Sequence, residues 1–392
     1  MFKSVLSLTL AAALGTASFG QTTLTAIPGE AAAAKYASIS QEILRAIEKG
    51  NEYLKSKQNP EGYWAQPSYP ALTALAVTAY MRDPANQGKP VPEYIRKGYD
   101  FILKSQKEDG SIFNRGMSSY NTAVCMMALL AANKEEYAPA ILKGRAYLIK
   151  QQNHFAPDNP YNGGIGYGDK QAPPIADLSN TSLALEAIYY SQKLAKDGKY
   201  GKQPDLDWNA ATEFINRCQQ NPAVNKEPWV SNDKSQLGGF VYRPGVSSAR
   251  DKKSAAFDKA EPPKAYGSMT YAGMQSLIYA NVDKNDPRVK LALKWLENSY
   301  SLDENPGMGV QGLYYYYQAM SKALSAMGID TLTLENGRKV DWRDELANKL
   351  ISIQKSDGSW VNTNNRWWEA DPVLVTSYCV LALEQLYHSI PR

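Results

Sequence analysis

The sequence predicts an all-α protein built as an α/α toroid, a closed double ring of about six helical hairpins. Three observations carry this. First, a polar helix repeatedly ends in Gln, enters a Gly- or Trp-containing turn and restarts as an apolar helix. The best copy is Gln354-Lys355-Ser356-Asp357-Gly358-Ser359-Trp360 before the apolar run Pro372 to Leu386. Gln58-Asn59-Pro60-Glu61-Gly62-Tyr63-Trp64 precedes Ala71 to Met81, and Gln106-Lys107-Glu108-Asp109-Gly110-Ser111-Ile112 precedes Asn121 to Ala132. Second, Gln58, Gln106 and Gln152 are spaced by the length of one long helical hairpin, the signature of a repeat architecture. Third, the two helices of each pair differ. The outer one carries charges on one face (Glu93, Arg96, Lys97, Lys104), whereas the inner one is apolar nearly all round (Leu129-Leu130-Ala131, Val373-Leu374-Val375). A helix apolar on every side must be buried on every side. An open solenoid leaves a concave face wet; a closed ring does not.

Taken in order, residues 1–20 read as a signal peptide. Lys3 supplies the positive flank, Val5 to Ala17 a short apolar stretch, and Ser18-Phe19-Gly20 the small residues of a cleavage site. The stretch is too short to span a bilayer, and no Cys follows it to carry a lipid anchor. The expected product is exported, periplasmic or secreted. Residues 21–39 read as a linker and 40–392 as one toroid domain. The first outer helix is expected over Ser40 to Lys57. The following pairs are Pro92 to Gln106 with Tyr120 to Asn133, Ala138 to Gln152 with Asn180 to Leu194, and Asp207 to Gln220 with Ser268 to Asn281. Pro287 to Tyr300 pairs with Val310 to Met327, and Trp342 to Gln354 with Pro372 to Tyr387. The fifth turn is degenerate, with Asn305-Pro306-Gly307-Met308-Gly309 in place of Gln and Trp. Two long inserted loops, near 155–177 and 221–266, are rich in Pro, Gly and Tyr, a composition that marks function more often than disorder.

Composition narrows the classes. With 44% hydrophobic and 21% charged residues the chain can fill a large core. A net charge of +4, with no basic block interleaved with aromatics, gives nucleic-acid binding no support. No later segment is long and apolar enough to be a transmembrane helix. Cys125, Cys218 and Cys379 are too few for a disulfide framework; Cys125 and Cys379 fall inside apolar helices, and one disulfide stays open.

The Gln-x-x-x-Gly-x-Trp turns resemble the repeat of squalene and oxidosqualene cyclases and, more loosely, of protein prenyltransferase β-subunits. The resemblance runs from about Ala46 onward and implies a toroid of about six hairpins. It implies chemistry only where the motif residues match. Cyclases of this type carry Asp-x-Asp-Asp-Thr-Ala at the start of an inner helix, and the middle Asp protonates the substrate. The nearest match here is Asp177-Leu178-Ser179-Asn180-Thr181-Ser182. The first Asp and the Thr are kept, but Ser179 holds the donor position, and a hydroxyl is too weak an acid for an alkene. Asp205-Leu206-Asp207 opens an outer helix, where Asp207 reads as a cap. The zinc of prenyltransferases needs an Asp two residues before a Cys; Ala123, Asn216 and Ser377 stand there instead. The thioester motif of complement-like toroids, Asp-Asp-x-x-Asp, a nucleophile elbow, a P-loop and a dinucleotide fingerprint are all missing from the sequence, so neither metal nor cofactor is expected.

Candidate ligand contacts come from aromatics at inner-helix starts. With 26 Tyr and 8 Trp, the chain has more than a core of this size needs. Trp64, Tyr69, Tyr120, Tyr167, Tyr271, Tyr315, Trp360, Trp367 and Trp368, with Asn180, are the expected ligand-binding set. Acidic residues expected at that end are Asp169, Asp177, Glu369 and Asp371. Asp177, Glu369 and Asp371 are the catalytic candidates. Glu369 and Asp371, beside two indoles, read either as helix-start charges or as a carboxylate pair with pKa raised by apolar neighbours. Three functions stay open at this point. The ring holds an apolar isoprenoid-like or other lipid ligand, with or without a non-standard cyclase-like activity. Alternatively it is an exported polysaccharide lyase or hydrolase, or a non-catalytic interaction scaffold.

Overall fold

A computed structural model describes residues 28–168, 175–249 and 262–390. The expected leader and the first part of the 21–39 linker lie outside them, as does Asp169. Five long outer helices follow α1(Pro28–Ser56): α3(Glu93–Lys104), α5(Ala138–Lys150), α8(Trp208–Cys218), α10(Pro287–Asn298) and α12(Trp342–Ser352). The inner layer is α2(Pro70–Arg82), α4(Ser118–Ala131), α6(Leu178–Tyr190), α9(Gly267–Tyr279), α11(Leu313–Met327) and α13(Pro372–Ser389). A short α7(Gln192–Lys196) extends α6, and a two-residue hairpin, β1(Leu332–Thr333) with β2(Lys339–Val340), joins α11 to α12. The first helix starts at Pro28 rather than Ser40, so part of the expected linker is helical. Among the described residues no helix is long and apolar enough to cross a membrane.

The inner helices pack in the cyclic order α2, α4, α6, α9, α11, α13 and back to α2. Each remaining long helix packs outside this ring; α1 closes it by lying against α12 and α13. The predicted α/α toroid is therefore the observed fold.

The repeated turn explains how the ring is held. The side-chain amide of Gln58 donates to Gly62 O and to Tyr94 O on the next outer helix, at 3.0 and 2.7 Å. Gln106 bridges Gly110 and Ala140 in the same way, Gln152 bridges Gly163 and Asp207, and Gln219 bridges Gly238 and Arg288. Gln354 repeats this across the seam, donating to Gly358 O and to Ala46 O in the first helix. The turn glycine adopts positive φ (+90° at Gly110), and a Cβ there would overlap the backbone carbonyl of Lys143 on the next outer helix. Just beyond, a backbone N–H donates to an inner-helix threonine: Trp64 to Thr73, Ile112 to Thr122, Ile165 to Thr181, Phe240 to Thr270 and Trp360 to Thr376. These satisfied polar groups are what buried turns require. The fourth turn uses Gln219, one residue before the expected helix end at Gln220. All three cysteines are free and buried.

Candidate functional site

Every hairpin runs outward helix first, so all six inner helices start at the same end of the ring. Their N-termini carry unsatisfied N–H groups and the positive ends of the helix dipoles. Neighbours in the ring supply most of the caps. Asn121 of α4 accepts from Ala71 N of α2, and Asn305 accepts from Ser268 N of α9. Ser119 N of α4 donates to Tyr167 O. The cap position of α11 is Gly312, which has no side chain to offer. Glu369 fills the gap from the last loop: its carboxylate accepts from Tyr315 N at 2.8 Å and Tyr314 N at 3.4 Å, and from the Asn362 amide at 2.7 Å. Helices α6 and α13 are capped by their own Asp177 and Asp371.

A cavity of about 500 Å³ occupies the hub at this end. All six inner helices reach it, through Leu72, Tyr120, Asn180, Met269, Tyr315 and Tyr378 among others. The inserted loops bring Tyr167 and Tyr242, and the last loop brings Trp367, Trp368 and Glu369. Among the described residues no Lys or Arg lines it. The volume falls within the range of small-molecule sites.

The phenol groups of the wall have partners in neighbouring side chains. Tyr120 hydrogen-bonds with Tyr378, Tyr242 with Tyr167 and Asp177, and Tyr315 with Ser179. Ring faces therefore remain to meet a ligand. Burial pushes the Tyr120 phenol up to about 12, and Tyr242, Tyr315 and Tyr378 also stay neutral for the same reason. Asp177 is 2% exposed, and burial raises its carboxyl to about 6 against the hydrogen bonds from Asn180 and Tyr242 and the nearby Arg243. Burial also raises Glu369, opposed by its backbone and Asn362 donors.

Two adjacent tryptophans guard the mouth in an unusual backbone state. Trp367 and Trp368 have φ of +55° and +65°, in the left-handed region that bulky residues avoid. Trp367 lies under the Arg366 guanidinium at 4.4 Å, and Trp368 packs on Tyr69 at 4.6 Å. Such strain persists only where surrounding contacts enforce it, and it concentrates at ligand clamps.

Of the expected set, the fold brings Tyr120, Tyr167, Asn180, Tyr315, Trp367, Trp368 and Glu369 to the cavity wall. Tyr69 reaches it only through its contact with Trp368. Trp64 and Trp360 are scaffold: both are buried in the turns, with indole N–H groups bonded to Leu54 O and Leu350 O. Tyr271 is buried against Tyr316 within the helix layers. Asp371 faces a different surface hollow, beside Asn59 and Asn365, so it forms no acid–base pair with Glu369 across the cavity. The helix-cap reading of Asp371 and of Asp207 accounts for both. Tyr242 and Tyr378 were not singled out by sequence. Tyr378 follows Leu374 by one helical turn, a spacing that puts both on one face; Tyr242 is placed by loop geometry that no local pattern encodes.

No family model matches the sequence. Solved structures do resemble the fold. A variant of the type II terpene cyclase MstE from Scytonema, in complex with geranylgeranyl dihydroxybenzoate, superposes with a TM-score of 0.53 at 10% identity, covering 90% of this chain and 99% of that one. Another MstE variant, holding its product merosterolic acid A, gives 0.52 at 10% identity over 90% and 99%. A protein from Actinoplanes gives 0.50 at 13% identity over 88% and 99%. At such identities the likeness is one of fold.

Proposed function

We propose that this protein binds an apolar, isoprenoid-like molecule in the hub cavity and does not protonate it by the usual cyclase route. The single observation that carries the reading is the wall: among the described residues, six tyrosines and two tryptophans with aliphatic neighbours, phenols kept neutral by burial, and Glu369 as the charged group, bound by helix N–H donors. Burying an apolar chain there removes about 25 cal/mol per Å² of hydrocarbon surface from water. A polysaccharide needs many hydrogen-bonding groups along its length, whereas this wall is mainly aromatic and aliphatic. The cyclase-like fold, and the isoprenoid substrate and product held by MstE, support the ligand class.

The residues do not favour acid-initiated cyclisation. Ser179 stands where a carboxylic acid would be needed, and its neighbour Asp177 lies behind Asn180, outside the lining. Glu369 reaches the cavity, but its carboxyl oxygens are already occupied as acceptors for the Tyr314 and Tyr315 backbone N–H groups and the Asn362 amide. The test is titration with geranylgeraniol, followed by the fluorescence of Trp367 and Trp368. Saturable quenching that disappears in the Trp367→Phe/Trp368→Phe variant, with maltohexaose silent, supports the reading; a response to the oligosaccharide alone overturns it.

A further inference from the structure

Asn180 is 2% exposed and lines the cavity. Its orientation is fixed by Asp177. One carboxylate oxygen accepts from Asn180 N at 2.8 Å, and the other accepts from Asn180 Nδ2 at 2.8 Å. A flipped amide would set its carbonyl against that carboxylate, so Nδ2 must face Asp177. The remaining polar atom, Oδ1, is buried and has no hydrogen-bond partner among the described residues. An orphaned buried acceptor is destabilising by roughly 1–3 kcal/mol, and native folds rarely carry one without a use. Among the described residues no Lys or Arg lines the cavity to receive a phosphate or carboxylate, and the carboxyl of Glu369 there would repel either.

From this we infer that the ligand is a neutral isoprenoid or comparable apolar chain ending in a hydrogen-bond donor, most simply an alcohol, whose O–H donates to Asn180 Oδ1. Asp177 acts as a positioning residue that holds the amide in register. The inference rests on the proposed binding of an apolar chain in the hub cavity and adds the polar end of that chain. It excludes prenyl diphosphates and free prenyl acids as preferred ligands.

The experiment compares geranylgeraniol, its methyl ether and geranylgeranyl diphosphate by fluorescence titration of the full chain. The alcohol should bind about tenfold to a hundredfold more tightly than the ether, the range expected for filling one buried acceptor. The diphosphate should bind more weakly than the alcohol. In Asn180→Ala the alcohol should fall to the affinity of the ether, while the ether is unchanged. Equal binding of alcohol and ether by the unmodified protein overturns this inference and leaves the apolar cavity reading standing. Tightest binding by the diphosphate also overturns it. Failure of all three to bind overturns the cavity reading itself. Should Asn180→Ala not fold, the comparison of the three ligands on the unmodified protein still decides.

Discussion

Closure of the ring can be tested at one side chain. In Gln354→Ala the amide that donates to Ala46 O at 3.0 Å and to Gly358 O at 2.9 Å is lost. Each bond contributes about 1 kcal/mol net, and the carbonyls left in a partly buried turn add to the loss, so the substitution should cost about 2–3 kcal/mol. Gln106→Ala, inside the ring, removes the matching bonds to Ala140 O at 2.9 Å and Gly110 O at 3.2 Å and should cost the same. In a closed ring the last repeat is equivalent to a middle one. In an open stack Gln354 would sit at a free end and its loss would be nearly silent. The assay is urea denaturation followed by far-ultraviolet circular dichroism, with both variants compared at equal slope so that the midpoint shift reports stability. A Gln354→Ala midpoint matching the unmodified protein, beside a clear loss for Gln106→Ala, would refute the closed ring.

Other outcomes follow from the same geometry. Gly110→Ala should destabilise by roughly 3 kcal/mol or more, because positive φ combines with overlap on Lys143 O, whereas Gly337→Ala, at φ of +80° with open space around it, should cost only about 1 kcal/mol in the same denaturation assay. Asp177 is a carboxyl whose folded value, about 6, lies above its ordinary 3.8. The folded state therefore holds its proton more tightly, and stability from this group is present below pH 4 and is lost as pH rises towards 6. That loss is at most about 3 kcal/mol. The stability difference between the unmodified chain and Asp177→Asn should accordingly shift over pH 4 to 6 and stay flat above 7. Trp368→Gly should relieve the left-handed strain, leaving stability equal or up to about 1 kcal/mol higher, while weakening geranylgeraniol binding about tenfold through loss of the ring stacked near Tyr69. Equilibrium titration and denaturation of the same sample check both halves.

Much of the fold was legible because it is written in local, repeated chemistry. The Gln–Gly–Trp turn is visible in the residues, and its physical role is a short-range bridge to the next outer helix. The all-round apolar inner helices announce burial on every side, which only a ring provides. The fourth turn was displaced by one residue because Gln219 and Gln220 stand side by side and both find partners. The cavity was legible in part. Tyr120, Asn180 and Tyr315 lie in the first turn of inner helices, where position along the chain equals position along the ring axis. Trp64 and Trp360 looked alike to Trp367 and Trp368 in sequence, yet the first two belong to the turn scaffold and the second two to the mouth. The difference lies in whether the indole N–H meets a helix carbonyl, a tertiary contact. Glu369 looked like half of an acid pair; it caps α11 because Gly312 cannot, and that need becomes visible only once the last loop folds over the fifth hairpin.

An apolar isoprenoid-like ligand in the hub cavity is what the proposed function requires. Mass spectrometry of an organic extract, made from the protein purified from its native source without detergent, tests it most directly. The expected result is one neutral, hydroxyl-bearing isoprenoid or similar lipid in near-stoichiometric amount, depleted in Tyr315→Ala. An extract free of lipid, from protein that also fails to take up geranylgeraniol, would contradict it.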